Sequence, residues 1–151
     1  MDEFSKPFVC TIEWAGNTQD YDSFPRVHTV SFPRGQKIKG SAAGHVQDPV
    51  VTNPEELLAA ALGTCLMLTF LAVCSREKIN VLSYVDHPEA TVELIERRLR
   101  VTKIVLKPLV IIDGAVERER LDVAMQKAHG NCIVSLSVKS EVLIEPTFQS
   151  A

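Results

Sequence analysis

Between Glu56 and Arg76 the chain carries no charged side chain, and this run limits the fold more than any other feature. It reads Leu57-Leu58-Ala59-Ala60-Ala61-Leu62-Gly63-Thr64-Cys65-Leu66-Met67-Leu68-Thr69-Phe70-Leu71-Ala72-Val73-Cys74-Ser75. Its start is well specified as a helix: Asn53 can accept backbone N–H bonds as an N-cap, Pro54 suits the first helical position, and Glu56 can close a capping box and meet the positive end of the dipole. A helix apolar all round must be buried on every side or sit in lipid. The run is near the lower length limit of a membrane span. Gly63, Thr64, Thr69 and the alanines dilute it, however, and the flanking chain reads as amphipathic soluble structure, so the membrane reading is set aside. The expectation is a central helix wrapped by a sheet or by a partner subunit, with Ala59, Ala60, Ala61 and Gly63 letting another backbone approach closely.

The 151 residues, 46% hydrophobic and 23% charged, suit one globular domain over 1–151. A net charge of −3 offers no excess positive field for a phosphate backbone, so nucleic acid is not expected as a partner. Met1-Asp2-Glu3-Phe4-Ser5-Lys6 has acidic residues where a secretory signal has basic ones, and the expected compartment is the cytoplasm, where thiols stay reduced. The four cysteines, Cys10, Cys65, Cys74 and Cys132, are too scattered for a disulfide scaffold. His129-Gly130-Asn131-Cys132 is the nearest approach to a metal pattern and has no second ligand pair, so no metal is expected. The cysteines are then packing residues or reactive ones.

Taken in order, Phe8, Cys10, Ile12 and Trp14 alternate with polar or smaller residues as in a half-buried strand, with Cys10 expected in the core. A turn over 15–20 leads to a second strand over 27–32, with Arg26 and His28 on one face, and 35–40 reads as a third. Residues 41–52 read as an irregular loop. The central helix should end near Ser75-Arg76-Glu77-Lys78, where cations suit a helix C-terminus. Val81–Asp86, Thr91–Ile95 and Leu99–Ile112 are rich in strand formers and read as a second antiparallel sheet, with a turn or bulge at Asp86-His87-Pro88-Glu89. In 116–129, Leu121, Ala124, Met125 and Ala128 define one face of a helix, with Gly130 as its C′ stop. Asn131–Ser135 reads as a turn, and 137–148 as a closing strand broken by Pro146.

A thiol in the middle of an apolar helix is ordinarily inert, because burial raises its pKa. Cys65 lies twelve residues after Asn53, about 18 Å along the axis, too far to use the positive end of its own helix. Its activation would have to come from a cation outside the helix. Cys74, nine residues further, falls on the opposite face and cannot pair with it. Cys132, at the end of the later helix, is placed where a thiol can be held out of the core.

Two segments together resemble the OsmC/Ohr peroxidase family. "NPEELLAAALGTC" looks like the family's central-helix signature ending in its peroxidatic cysteine, and "NCIVS" looks like the segment that carries its resolving cysteine. The resemblance is clear over about residues 50–145. It implies an α+β, OsmC-like fold: two antiparallel sheets wrapped around a buried central helix in an intertwined homodimer. It also implies that Cys65 attacks peroxide and becomes a sulfenic acid, that Cys132 condenses with it to a disulfide, and that an external dithiol reductant restores both. Glu55 matches the glutamate that holds a catalytic arginine. For that arginine Arg26 is the first choice and Arg34 the second, while His45 stands near the other position the family uses.

Two readings follow. The first is a thiol peroxidase acting on a small organic hydroperoxide, without metal, haem, flavin or other cofactor. The second is a non-catalytic small-ligand-binding or redox-sensing dimer of the same fold.

Overall fold

The computed structural model describes residues 5–44 and 51–151, which fall into two units, Met1–Leu57 and Leu58–Ala151. In the first unit, β1 (Thr11–Glu13), β2 (His28–Ser31) and β3 (Lys37–Gly40) form an antiparallel meander in the order of the sequence. Ile12, Val30 and Ile38 align across it, so alternation sets the register as expected. Burial is less than the pattern suggests. Cys10, expected in the core, is exposed along with Phe8 and Ile12, because β1 is three residues long and lies on the sheet edge.

The start of the long helix forms as the sequence dictates. Glu56 N–H donates to Asn53 Oδ1 at 2.8 Å, and Glu56 Oε2 accepts from Asn53 N–H at 3.1 Å and from Thr52 Oγ1 at 2.7 Å. This is a reciprocal capping box, worth about 1 kcal/mol for the Asn53 side chain alone. The Thr52 hydroxyl, and then the Asn53 N–H, hold the Glu56 carboxyl below its ordinary range.

α1 (Pro54–Arg76) then runs unbroken through Gly63. Leu62, Leu66, Phe70 and Cys74, four residues apart, make a fully buried stripe that packs in one core with Ile104, Leu106, Val110 and Ile112. The helix is long and apolar enough to cross a membrane by composition, yet this stripe is covered by protein. It is not buried all round within one chain: Ala61, Thr64, Leu68, Ala72 and Ser75 form an exposed stripe, with Leu68 60% accessible.

The remaining strands are β4 (Val81–Val85), β5 (Glu89–Ile95), β6 (Arg98–Leu106), β7 (Leu109–Ile112), β8 (Glu141–Ile144) and β9 (Thr147–Ser150). They make two further three-stranded sheets, β4-β7-β9 and β5-β6-β8. The α+β class stands, but the expectation of purely antiparallel sheets is corrected: β8 runs parallel to β6, and β9 parallel to β7. A crossover long enough to hold helices lets a strand join parallel, and residue alternation carries no information about strand direction.

That crossover holds α2 (Arg118–Asn131) and α3 (Ile133–Ser137). Leu121, Ala124, Met125 and Ala128 are the buried face of α2, as their spacing requires. Gly130 does not stop it: the helix continues to Asn131, and Cys132, in extended conformation, ends it. The expected turn after Cys132 is a helical turn instead, with Ser137 Oγ donating to the Ile133 carbonyl at 2.7 Å.

Candidate active site

Cys65 and Cys132 are brought into contact. Cys65 is half-buried in the middle of α1, and Cys132, the single non-helical residue between α2 and α3, is fully buried. The expectation that Cys132 is held out of the core is therefore corrected. The α2 face that carries Ala124 and Ala128 pulls the end of that helix inward, and Cys132 joins the same core cluster.

The surroundings of the two sulfurs differ in a way that separates their roles. Burial pushes the Cys65 thiol up, but the backbone N–H of Val134, the Cys132 thiol and the N–H of Ile133 all donate toward its sulfur, and the net effect lowers it. The Thr69 hydroxyl adds a smaller contribution, shared with its 2.8 Å bond to the Cys65 carbonyl. Ile133 and Val134 open α3, where the N–H groups of a first turn have no partner within the helix. Cys132 moves the other way. Burial raises it, the Ser135 N–H offsets part of that, and donation to Cys65 together with the negative charge of the Cys65 thiolate keeps it raised. Cys65 is thus the favoured thiolate, and Cys132 the thiol beside it.

The source of this activation departs from the sequence reading. A cation outside α1 was the expected agent, whereas the donors present are two backbone N–H groups and a neighbouring thiol. Backbone donors carry no residue-type signal, and only the position of Cys132 just before a short helix hints at them. Cys74, on the opposite face, is inert by the same logic: burial, and then the charge of Glu77, outweigh Arg120 and push its thiol up to about 11.

Arg26, Arg34 and Glu55, the other described site candidates, belong to the first unit. Arg26 stands just before β2 in the first unit, donating to the Tyr21 and Phe24 carbonyls at 2.7 and 3.1 Å and stacked over the Phe24 ring at 3.9 Å. Glu55 lies in the first turn of α1; its Oε2 is buried and has no hydrogen-bond partner among the described residues. No ion pair joins Arg26 to Glu55. Arg34 is exposed, and His45 lies outside the described residues.

Comparison with known proteins shows which sequences and folds the chain resembles. The sequence profile described as OsmC-like protein matches residues 47–147. Peroxiredoxin OsmC of Escherichia coli is 27% identical over 99 residues, covering 66% of this chain and 68% of that protein. The structure of an OsmC-like protein of unknown function from Vibrio cholerae superposes with a TM-score of 0.84 at 30% identity, covering 95% of this chain and all of the other. An organic hydroperoxide resistance protein from Elizabethkingia anophelis shares the fold with a TM-score of 0.68 at 18% identity, covering 97% and 99% of the two chains.

Proposed function

The chain belongs to the OsmC-like protein family, and from that premise we propose that it is a thiol peroxidase that reduces organic hydroperoxides through Cys65 and Cys132. The observation that carries the reading is the opposite displacement of two touching thiols, one favoured as thiolate and one kept protonated. In the first step the Cys65 thiolate attacks the terminal oxygen of ROOH. The O–O bond breaks, Cys65 becomes a sulfenic acid, and the alkoxide takes a proton to leave as ROH. In the second, the Cys132 sulfur attacks the Cys65 sulfur, the S–O bond breaks, and the sulfenic hydroxyl leaves with the Cys132 proton as water. An external dithiol then reduces the disulfide by two successive exchanges.

An organic substrate is favoured by the side chains beside the pair. Ile133 and Leu136 on α3 are 74% and 72% accessible and can cover an alkyl group but cannot hydrogen-bond to hydrogen peroxide. Arg26 is proposed as the cation that receives the peroxide oxygens, oriented by Glu55, whose unpartnered carboxylate oxygen calls for such a donor. Glu55 and Cys65 are ten residues apart on a continuous helix, about 15 Å along its axis. We therefore place the complete site across two copies of the chain, paired through the exposed stripe of Ala61, Thr64, Leu68 and Ala72.

Equimolar peroxide followed by peptide mapping tests the mechanism. The expected product is a Cys65–Cys132 disulfide. Pairing of Cys65 with Cys10 or Cys74, or a Cys65 sulfinic acid with Cys132 still free, would overturn it.

A further inference from the structure

Thr69 stands one turn beyond Cys65 on α1, at the i, i+4 spacing that puts both side chains on one face of the helix. It is half-buried, and its Oγ1 donates to the Cys65 carbonyl at 2.8 Å. A β-branched residue that back-bonds in this way slightly weakens a helix, so the choice of threonine here does not serve α1 itself. The acceptor does not need the bond either. α1 is unbroken through this turn, and a regular helix already supplies the Cys65 carbonyl with the Thr69 N–H. The hydroxyl proton is therefore a surplus donor, and rotation about the Cβ–Oγ1 bond redirects it without moving a heavy atom. The Cys65 sulfur is the other acceptor within its reach.

The remaining donors to that sulfur are carried by a different part of the chain. The Ile133 and Val134 N–H groups and the Cys132 thiol all belong to the junction between α2 and α3. Cys132 gives up its proton when it attacks, and any shift of the junction moves the two N–H groups with it. Thr69 is tied to Cys65 through a single helical turn and stays. Among the described residues, Cys132 is the titratable group that acts on Cys65, and no charged side chain contributes. A hydrogen bond to an anion is about twice as strong as one to a neutral carbonyl, so loss of the Cys65 proton to solvent tips the hydroxyl toward sulfur. We propose that Thr69 is a donor that follows the charge on Cys65: its hydroxyl rests on the Cys65 carbonyl while the thiol is protonated and turns onto Sγ when the thiolate forms. The inference rests on the choice of Cys65 as the attacking thiolate in the proposed function, and it adds a residue that holds this charge independently of α3.

The test uses no peroxide, so its outcome is separable from that of the peroxidase reading. In a Cys10→Ser background, alkylation of Cys65 by iodoacetamide is followed across pH by mass spectrometry of its peptide. Thr69→Val keeps the shape and deletes the hydroxyl, Thr69→Ala deletes it with less crowding, and Thr69→Ser restores it. Valine and alanine should each move the midpoint up by about half a unit, with the rate below it about threefold lower, while serine returns it to within about 0.2 unit of wild type. The valine shift should persist in Cys132→Ala, where the neighbouring thiol is gone. A hydroxyl that served only the helix would change the thermal midpoint and leave the pH profile still. An unmoved profile in both Thr69→Val and Thr69→Ala would overturn the proposal. So would a serine shift as large as that of valine, or a valine shift that vanishes in Cys132→Ala.

Discussion

Replacing Ile133 with proline isolates the contribution of a single backbone donor to the Cys65 thiolate. Ile133 is the first residue of α3, its side chain is largely exposed, and its N–H has no acceptor in the helix. Proline is tolerated at a first helical position, and the residue before it must be extended. Cys132 already satisfies this with φ −74° and ψ 106°. The substitution therefore removes a donor while leaving the helix start in place, and the restricted unfolded chain offsets part of any lost packing. A hydrogen bond to a charged group contributes about 1.5–3 kcal/mol when buried. Cys65 is only half-buried, so the lower end applies, about 1.5 kcal/mol, which is roughly one pKa unit. In a Cys10→Ser background, which removes the other exposed thiol, the pH profile of iodoacetamide alkylation should move up by about one unit. Below the pKa the rate should fall about tenfold. An unmoved profile in a protein of unchanged stability would refute the reasoning, and would return the activation of Cys65 to a cation.

Two further outcomes are expected. Cys74 titrates at about 11 in the folded chain against 9.0 when free, so folding favours its protonated form. The stability this contributes is fully present below pH 9 and is lost as pH rises through 11, up to roughly 2.7 kcal/mol for a complete loss. In Cys74→Ala, the total fall in the urea unfolding free energy across that window should be smaller by about that amount, and an unchanged fall would contradict the assignment. Mixing Glu55→Ala protein with Cys65→Ser protein, each inactive alone, should restore about a quarter to a half of wild-type activity, since a mixed dimer keeps one intact composite site. No recovery in samples shown to exchange subunits, or a monomer in solution, would remove the shared site.

What the sequence made legible is local. The capping box at Asn53 and Glu56, the Leu121-Ala124-Met125-Ala128 face and the alternation around Val142 and Ile144 are each decided by neighbours a few residues away, and each formed as its pattern requires. What was not legible depends on partners distant in the chain. The parallel entry of β8 and β9 is set by the crossover rather than by their own residues. Gly130 has the composition of a stop, but its helix is carried one residue further by the packing of Ala128 and Cys132 in the core. The five residues of α3 are rich in β-branched and hydroxyl side chains, which argue for a turn, and their helical form is what aims two N–H groups at Cys65. The two cysteines that the structure brings together stand out in the sequence, while the backbone donors that face one of them do not.

The central claim is that Cys65 turns over peroxide with Cys132 as its resolving partner. Steady-state reduction of an organic hydroperoxide, with a dithiol as electron donor, measures this directly on the wild type, Cys65→Ser and Cys132→Ser. The account predicts catalytic turnover by the wild type. It predicts none by Cys65→Ser, and by Cys132→Ser a single rapid equivalent of peroxide consumed before turnover slows at least tenfold. Turnover that survives in Cys65→Ser, or a wild type that consumes no peroxide although both thiols are reduced, would contradict it.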